Sequence, residues 1–309
     1  MSQSDFLICF AKKLPTIKGV THGYSKLGAL VKHHYLSWIF ILVLVGIEIA
    51  AQLITPYKRY VSQYMFVTGE LKYPLKSNTV PFQAVPVIAL VIPLIFVLGL
   101  NFWRRSIRDT HHAVLGLFTA VLLTAAITDS VKDGIGRPRP DFYARCFGSV
   151  NGTALYDVTG NVICTGSTAV MREAYKSFPS GHTSWSFAGM GYLSMYLAGK
   201  LGIFDKKGHS WKLLPVILPL LLAIFVGVTR IDDYWHHWTD VFAGALLGLS
   251  AAYFCYRQHF PSLYDEFASQ PYAIVVGTRI FHNTTLAGTN SDVPLQSAMS
   301  TYNDVERGS

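Results

Sequence analysis

The sequence predicts an all-α protein that crosses a membrane six times. Composition is the first reason. Of 309 residues, 51% are apolar and only 14% are charged, against about 25% charged in a typical soluble domain. Mean hydropathy is +0.32. That balance excludes a disordered chain, a coiled coil and a disulfide-stapled miniprotein. Periodicity is the second reason. Apolar runs of membrane-spanning length recur along the chain, since a bilayer core about 30 Å thick needs about 20 apolar residues per helix. The third is where the basic residues of this +8 chain fall.

The first run, Leu36 to Ile54, holds one carboxylate, Glu48. An ionisable group inside a span reads as functional unless it reaches water. Pro81 to Leu100 is the second run, and His112 to Thr128 the third, ending at Asp129. Thr183 to Ala198 is the fourth, semi-polar and rich in Gly and Ser, which suits helix packing better than lipid contact. Leu213 to Val228 and Trp238 to Tyr256 complete the set. Lys12, Lys13, Lys18, Lys26 and Lys32 precede the first run with no short apolar core or A-x-A site, so the start does not read as a signal peptide.

Arg104, Arg105 and Arg108 crowd the loop 101–111, and Lys200, Lys206, Lys207 and Lys212 the loop 199–212. The positive-inside rule puts these loops and both termini in the cytosol. Loops 55–80, 129–182 and 229–237 then face the lumen or the exterior, at the plasma membrane or endoplasmic reticulum. The expected organisation is an N-terminal arm at 1–34, a six-helix membrane domain at 35–257 and a cytosolic tail at 258–309. About 25 terminal residues read as disordered, and Pro271 to Phe281 is apolar enough to pack. Cys146 and Cys164 share the 129–182 loop, where a disulfide could persist. Asn151-Gly152-Thr153 is a sequon on the same side, whereas the sequon at Asn283 is cytosolic and should stay bare. No feature points to nucleic acid. Self-association is left open.

Three clusters carry chemistry. Lys132-Asp133-Gly134-Ile135-Gly136-Arg137-Pro138-Arg139-Pro140 follows the third run. Its Gly and Pro break the helix, and its Lys and Arg suit phosphate oxygens. Ser177-Phe178-Pro179-Ser180-Gly181-His182-Thr183 opens the fourth. A helix start presents free N–H groups and a favourable dipole to an anion, although Ser180 could instead simply cap the helix. The third cluster joins the last two runs and contains Arg230, His236 and Asp240. His236 and Asp240, four apart, are expected to share a helix face, with the carboxylate holding the imidazole in one tautomer. Trp235 and Trp238 suit an interfacial belt. The pairs His33/His34 and His111/His112 lack the spacing of a structural metal site and read as interfacial. An even number of crossings puts all three clusters on one membrane face, so they can form one pocket.

Lys132 with Arg139-Pro140, then Pro179-Ser180-Gly181-His182, then Arg230 with His236 and Asp240, resembles the three-part signature of the type-2 phosphatidic acid phosphatase superfamily. The likeness spans roughly residues 30–260 and is strongest to the plant lipid phosphate phosphatases. Thr229 stands where that family usually has Ser. The resemblance implies that His236 is a nucleophile forming a phosphohistidine, oriented by Asp240, and that His182 is the general acid. It implies that Lys132, Arg139, Ser180, Gly181 and Arg230 bind phosphate. With three fixed cations, no metal ligand and no cofactor is expected. The implied substrate is a phospholipid reached within the membrane, phosphatidate first, then diacylglycerol pyrophosphate and lysophosphatidate. Alternatives are another lipid or dolichyl diphosphate, or a non-enzymatic lipid transporter on the same fold. His237 reads as a bystander, Asp129 as a partner for Lys132, Asp232 and Asp233 as partners for Arg230, and Arg137 as reaching a headgroup.

Overall fold

The computed structural model describes residues 27–275. The start of the N-terminal arm, the end of the tail expected to be disordered and Asn283 lie outside the described residues. Among the described residues the regular structure is helical apart from one two-stranded hairpin. Its helices are α1 (Leu27–His33), α2 (Tyr35–Leu53), α3 (Gln63–Val67), α4 (Ala84–Arg104), α5 (Ile107–Ile135), α6 (Phe142–Phe147), α7 (Thr168–Ala174), α8 (Gly181–Leu201), α9 (Leu213–Asp232) and α10 (Trp238–His259). Strands β1 (Leu155–Tyr156) and β2 (Val162–Ile163) pair antiparallel between α6 and α7.

Five helices, α2, α4, α5, α9 and α10, are long and apolar enough to cross a membrane. The chain is therefore a multi-pass membrane protein. The fourth run, expected to pack against helices rather than lipid, is not among the five. It forms α8, a 21-residue helix, about 31 Å long at 1.5 Å per residue. Nearly all of its side chains are buried among the other helices rather than turned to lipid. Polar Ser and Thr side chains are affordable there because they find partners: Ser194 Oγ donates to Val216 O at 2.7 Å, and Thr128 Oγ1 and Ser184 Oγ share a 2.9 Å bond.

The core forms where α4, α5 and α10 close on α8, around Ala89, Val97, Leu117, Val121, Ala188, Tyr192 and Tyr256. Small residues allow the approach. A Cβ on Gly248 would lie 2.3 Å from Ser184 O, so any larger residue would push α10 off α8. At the arginine-rich end, Lys200 is not a free cytosolic charge. Its Nζ pairs with Asp109 Oδ1 at 2.5 Å and donates to Ser269 O at 2.6 Å, while Tyr196 OH donates to Asp109 Oδ2 at 2.9 Å. Lys212 is likewise buried against Asp205. His111 and His112, expected at the interface, are buried against His34, and His112 Nδ1 lies 3.2 Å from His259 Nδ1.

At the opposite end, loops 55–80 and 129–182 pack into one cap. Val61, Phe66, Leu71, Phe142, Tyr143, Met171 and Tyr175 form its apolar centre. Cys146 and Cys164 are joined as a disulfide within it. Asn151 is exposed on its surface. The three chemistry-bearing clusters meet under this cap.

Candidate active site

Each cluster is positioned by a break in a helix. Helix α5 stops at Gly136, whose φ is +57° and where a Cβ would fall 1.7 Å from Tyr57 O. No L side chain fits that turn. The chain then runs to Arg139, whose N–H donates to Ala174 O at 2.9 Å, while Ser177 N donates to Arg137 O at 3.1 Å. These bonds stitch the first cluster to the second. Ser180 N donates to Asp240 O at 3.0 Å, which ties the second to the third.

Lys132 Nζ donates to Asp129 Oδ1 at 3.1 Å, the expected pairing. Asp129 Oδ2 accepts from Gln52 Nε2 at 2.8 Å, and Gln52 also donates to Glu48 at 3.1 Å. The intramembrane acid of α2 is thus wired to the site cation. The ammonium of Lys132 sits over the start of α8, where a Cβ on Gly181 would lie 2.7 Å from it. Ser180 is fully buried but makes no side-chain cap, and its Oγ accepts from Thr183 Oγ1 at 3.0 Å. The first intrahelical bond of α8 is Ser184 N to Ser180 O. The amides of Gly181, His182 and Thr183 precede it, as at any helix start.

Arg139 is buried, and its guanidinium stacks 4.8 Å from the Trp235 ring. Its Nε and Nη2 donate to Glu173, at 2.8 Å to the carbonyl and 3.2 Å to the carboxylate. Its Nη1 is buried with no partner. Burial pushes the guanidinium down to about 10, partly offset by Glu173. An unpaired cationic N–H so placed suits an anion. Arg230 is completely buried and donates to Asn78 Oδ1 at 2.7 Å, to Thr229 Oγ1 at 3.0 Å and to Asp233 Oδ2 at 2.9 Å. The hydroxyl of Thr229 does what a Ser there would do. Asp232 instead reaches Lys76, at 4.0 Å.

His236 corrects one expectation. It lies outside α10, and its Nδ1 is 2.7 Å from Ser177 O but 3.7 Å from Asp240 Oδ2. The second distance is too long for a hydrogen bond. The backbone carbonyl therefore holds the ring, with Nδ1–H donating and Nε2 left for bond formation. Burial pushes this imidazole down to about 3, against the opposing pull of Asp240, with Arg139 and Lys132 lowering it further. Asp240 is instead a hub. It accepts from Arg137 Nη1 at 2.5 Å, Ser177 Oγ at 2.6 Å and His237 N at 3.0 Å. So Arg137, expected at a headgroup, is the counter-ion of Asp240, and His237 is the residue capping α10. Trp235, expected in an interfacial belt, lies between Arg139 and Arg145; Trp238 is 68% exposed as a belt residue would be.

His182 Nε2 is 3.2 Å from Val80 O, and its ring is 5.7 Å from Phe82. Burial first, then Arg230, His236, Lys132 and Arg139, hold its imidazole well below the usual range. The eight residues expected at the site thus come together. Sequence reasoning missed Asn78, Thr79 and Val80, which reach in from the 55–80 loop, and the Ser177 carbonyl. Thr79 holds Asp233 through its amide and its hydroxyl, each at 2.8 Å. No motif marked that loop.

Two imidazoles, three buried or half-buried cations and a helix start, gathered at one end of a membrane bundle, define a phosphate-handling membrane protein. Residues 113–264, which hold all eight, match the PAP2 superfamily. Lipid phosphate phosphatase 2 of Arabidopsis thaliana is 51% identical over 84% of this chain and 89% of that protein. Lipid phosphate phosphatase 1 of the same plant is 51% identical over 84% of this chain and 76% of that protein. A probable diacylglycerol pyrophosphate phosphatase 1 of Schizosaccharomyces pombe is 34% identical over 76% and 86%. This chain belongs to the PAP2 superfamily, among its plant-like lipid phosphate phosphatases.

Proposed function

We propose that this membrane lipid phosphatase hydrolyses phosphatidate to diacylglycerol and inorganic phosphate, without a metal ion, through a phosphohistidine on His236. The observation that carries this reading is the placement of His236: its Nδ1 lies 2.7 Å from Ser177 O, and burial, against the pull of Asp240, pushes its imidazole down to about 3. A neutral, aimed imidazole is a nucleophile at ordinary pH.

In the first step Nε2 bonds to phosphorus and the bond from phosphorus to the glycerol oxygen breaks. The bound phosphate dianion offsets the cations that hold His182 neutral, and the imidazolium this favours gives that oxygen its proton. In the second step water attacks phosphorus, gives a proton to His182, and the P–N bond breaks to release phosphate. Lys132, Arg139, Arg230 and the Ser180–Gly181 helix start hold the non-bridging oxygens, which carry charge throughout. Three fixed cations perform the neutralisation that metal ions supply elsewhere. Asp240 faces the positive charge that His236 acquires on phosphorylation. Diacylglycerol pyrophosphate and lysophosphatidate present the same terminal phosphate. The site faces the lumen or exterior, with the arm at 1–34 and tail at 258–309 cytosolic.

The test is phosphate release from phosphatidate in detergent micelles with EDTA present, comparing wild type with His236→Ala. Undiminished activity in EDTA and none in the variant is the expected result. Loss of wild-type activity in EDTA would refute metal independence, and turnover by the variant would refute the nucleophile.

A further inference from the structure

His236, His182, Arg139 and Arg230 are all buried, and an exposed side chain packed against His182 is Phe82. Behind His236 stand the Ser177 carbonyl, Asp240 and Arg137. Beside Arg139 stand Glu173, Trp235 and Arg145. The remaining wall is Arg230 with Asn78, and His182 held at Val80 O; the groups packed beside His182 are aromatic. Phe82 packs edge-on against His182, with ring centroids 5.7 Å apart, and against Trp185, with centroids 6.0 Å apart. His182 and Trp185 lie three apart on α8 and so share a face. Trp185 is half-buried against the core, whereas Phe82 is 52% exposed. Two residues later the membrane-spanning helix α4 begins at Ala84.

We infer that Phe82 and Trp185 form the seat for the diacylglycerol half of the substrate, admitting it sideways between the start of α4 and α8. The inference deepens the reading of this protein as a lipid phosphatase and rests on it. The leaving oxygen must lie in line with, and opposite to, the His236 nitrogen, and within reach of the acid that protonates it. His182 therefore marks the side on which the glycerol emerges. With Nε2–H donating to Val80 O, the Nδ1–H of the imidazolium is the proton left for that oxygen. A glycerol there meets Phe82 and Trp185 first, and its acyl chains continue into the bilayer at the level where α4 enters it. Phe82 meets His182 and Trp185 and keeps about half of its surface exposed. Occupied by lipid, it would bury its free face and exclude water from the acid.

The test compares kcat/KM for dioleoyl phosphatidate with that for p-nitrophenyl phosphate in the same micelles, for wild type and Phe82→Ala. The lipid-to-soluble ratio is expected to fall about tenfold, the scale of one lost aromatic contact. Phe82→Trp should restore most of it. In parallel, p-benzoylphenylalanine at position 82 should crosslink to a dioleoyl phosphonate analogue of phosphatidate, and excess unlabelled phosphatidate should compete it away. An unchanged ratio overturns the proposal. So does a parallel loss on both substrates, which would mean that Phe82 merely holds His182, and so does the absence of a competable crosslink. Wild type that cleaves p-nitrophenyl phosphate but not phosphatidate would defeat the lipid-phosphatase reading itself, before any variant is compared.

Discussion

Replacing Asp240 by Asn removes a charge 3.7 Å from His236 Nδ1 while leaving in place the Ser177 carbonyl that holds the ring at 2.7 Å. The two roles usually credited to such a carboxylate, orientation and charge, are therefore separable here. In the proposed reaction the imidazole becomes cationic as Nε2 bonds to phosphorus, and the carboxylate favours that change. At an effective dielectric near 20, two unit charges at this distance interact by about 4.5 kcal/mol. Arg137 Nη1 lies 2.5 Å from the other carboxylate oxygen and cancels a large part of it. A residual effect of about 2 kcal/mol corresponds to a ~30-fold fall in kcat. KM should stay within about twofold, because Asp240 touches no position assigned to substrate phosphate. The assay is steady-state phosphate release by monodisperse Asp240→Asn protein, with a thermal melt to establish folding. A folded variant whose kcat falls less than about threefold would refute the charge argument. A fall in kcat accompanied by a large rise in KM would show that the ring had lost its place, and that the Ser177 carbonyl does not hold it.

Three further outcomes follow from the same geometry. Burial pushes His236 down to about 3 in the folded chain from an ordinary value of 6.5, so the unfolded chain binds the extra proton between those values. Stability from this residue is complete above about pH 6.5 and is lost as pH falls toward 3; the drop in melting temperature from pH 7 to 4.5 should be smaller in His236→Gln than in wild type. Gly136→Ala would combine a left-handed φ of +57° with a Cβ 1.7 Å from Tyr57 O, costing at least about 2 kcal/mol and lowering the melting temperature by about 4 °C or more. Arg139→Lys keeps the charge but loses the fork that both grips Glu173 and leaves Nη1 unpaired; KM for phosphatidate should rise about tenfold with kcat less affected, as measured by initial rates.

Most of the site was legible because its residues lie in three short stretches whose spacing is itself chemical. Lys132 and Asp129, and Arg230 and Asp233, pair at i,i+3 along their own helices, so local sequence contains the contact. Arg137 was misassigned because its partner Asp240 is over a hundred residues away, and only the folded loop between α5 and α6 points it there. Asn78 and Val80 were invisible for a similar reason. One is an ordinary polar side chain and the other acts through its carbonyl. The kind of helix α8 becomes was half legible: its Gly and Ser announced packing, but not that the other helices would leave it almost no lipid surface.

By itself, then, the sequence determined that the chain would enter a membrane, since runs such as Leu36 to Ile54 have no other way to hide from water, and that the three chemistry-bearing stretches would share one face, since the number of crossings between them is even. Only the tertiary structure decided which atoms do the work. His236 is aimed by the backbone carbonyl of Ser177 rather than by the carboxylate four residues along, because the chain at His236 has not yet become helical and the Ser177 turn arrives first. Every residue carries the same carbonyl, so no side-chain pattern can announce which one will be used. That choice belongs to the fold.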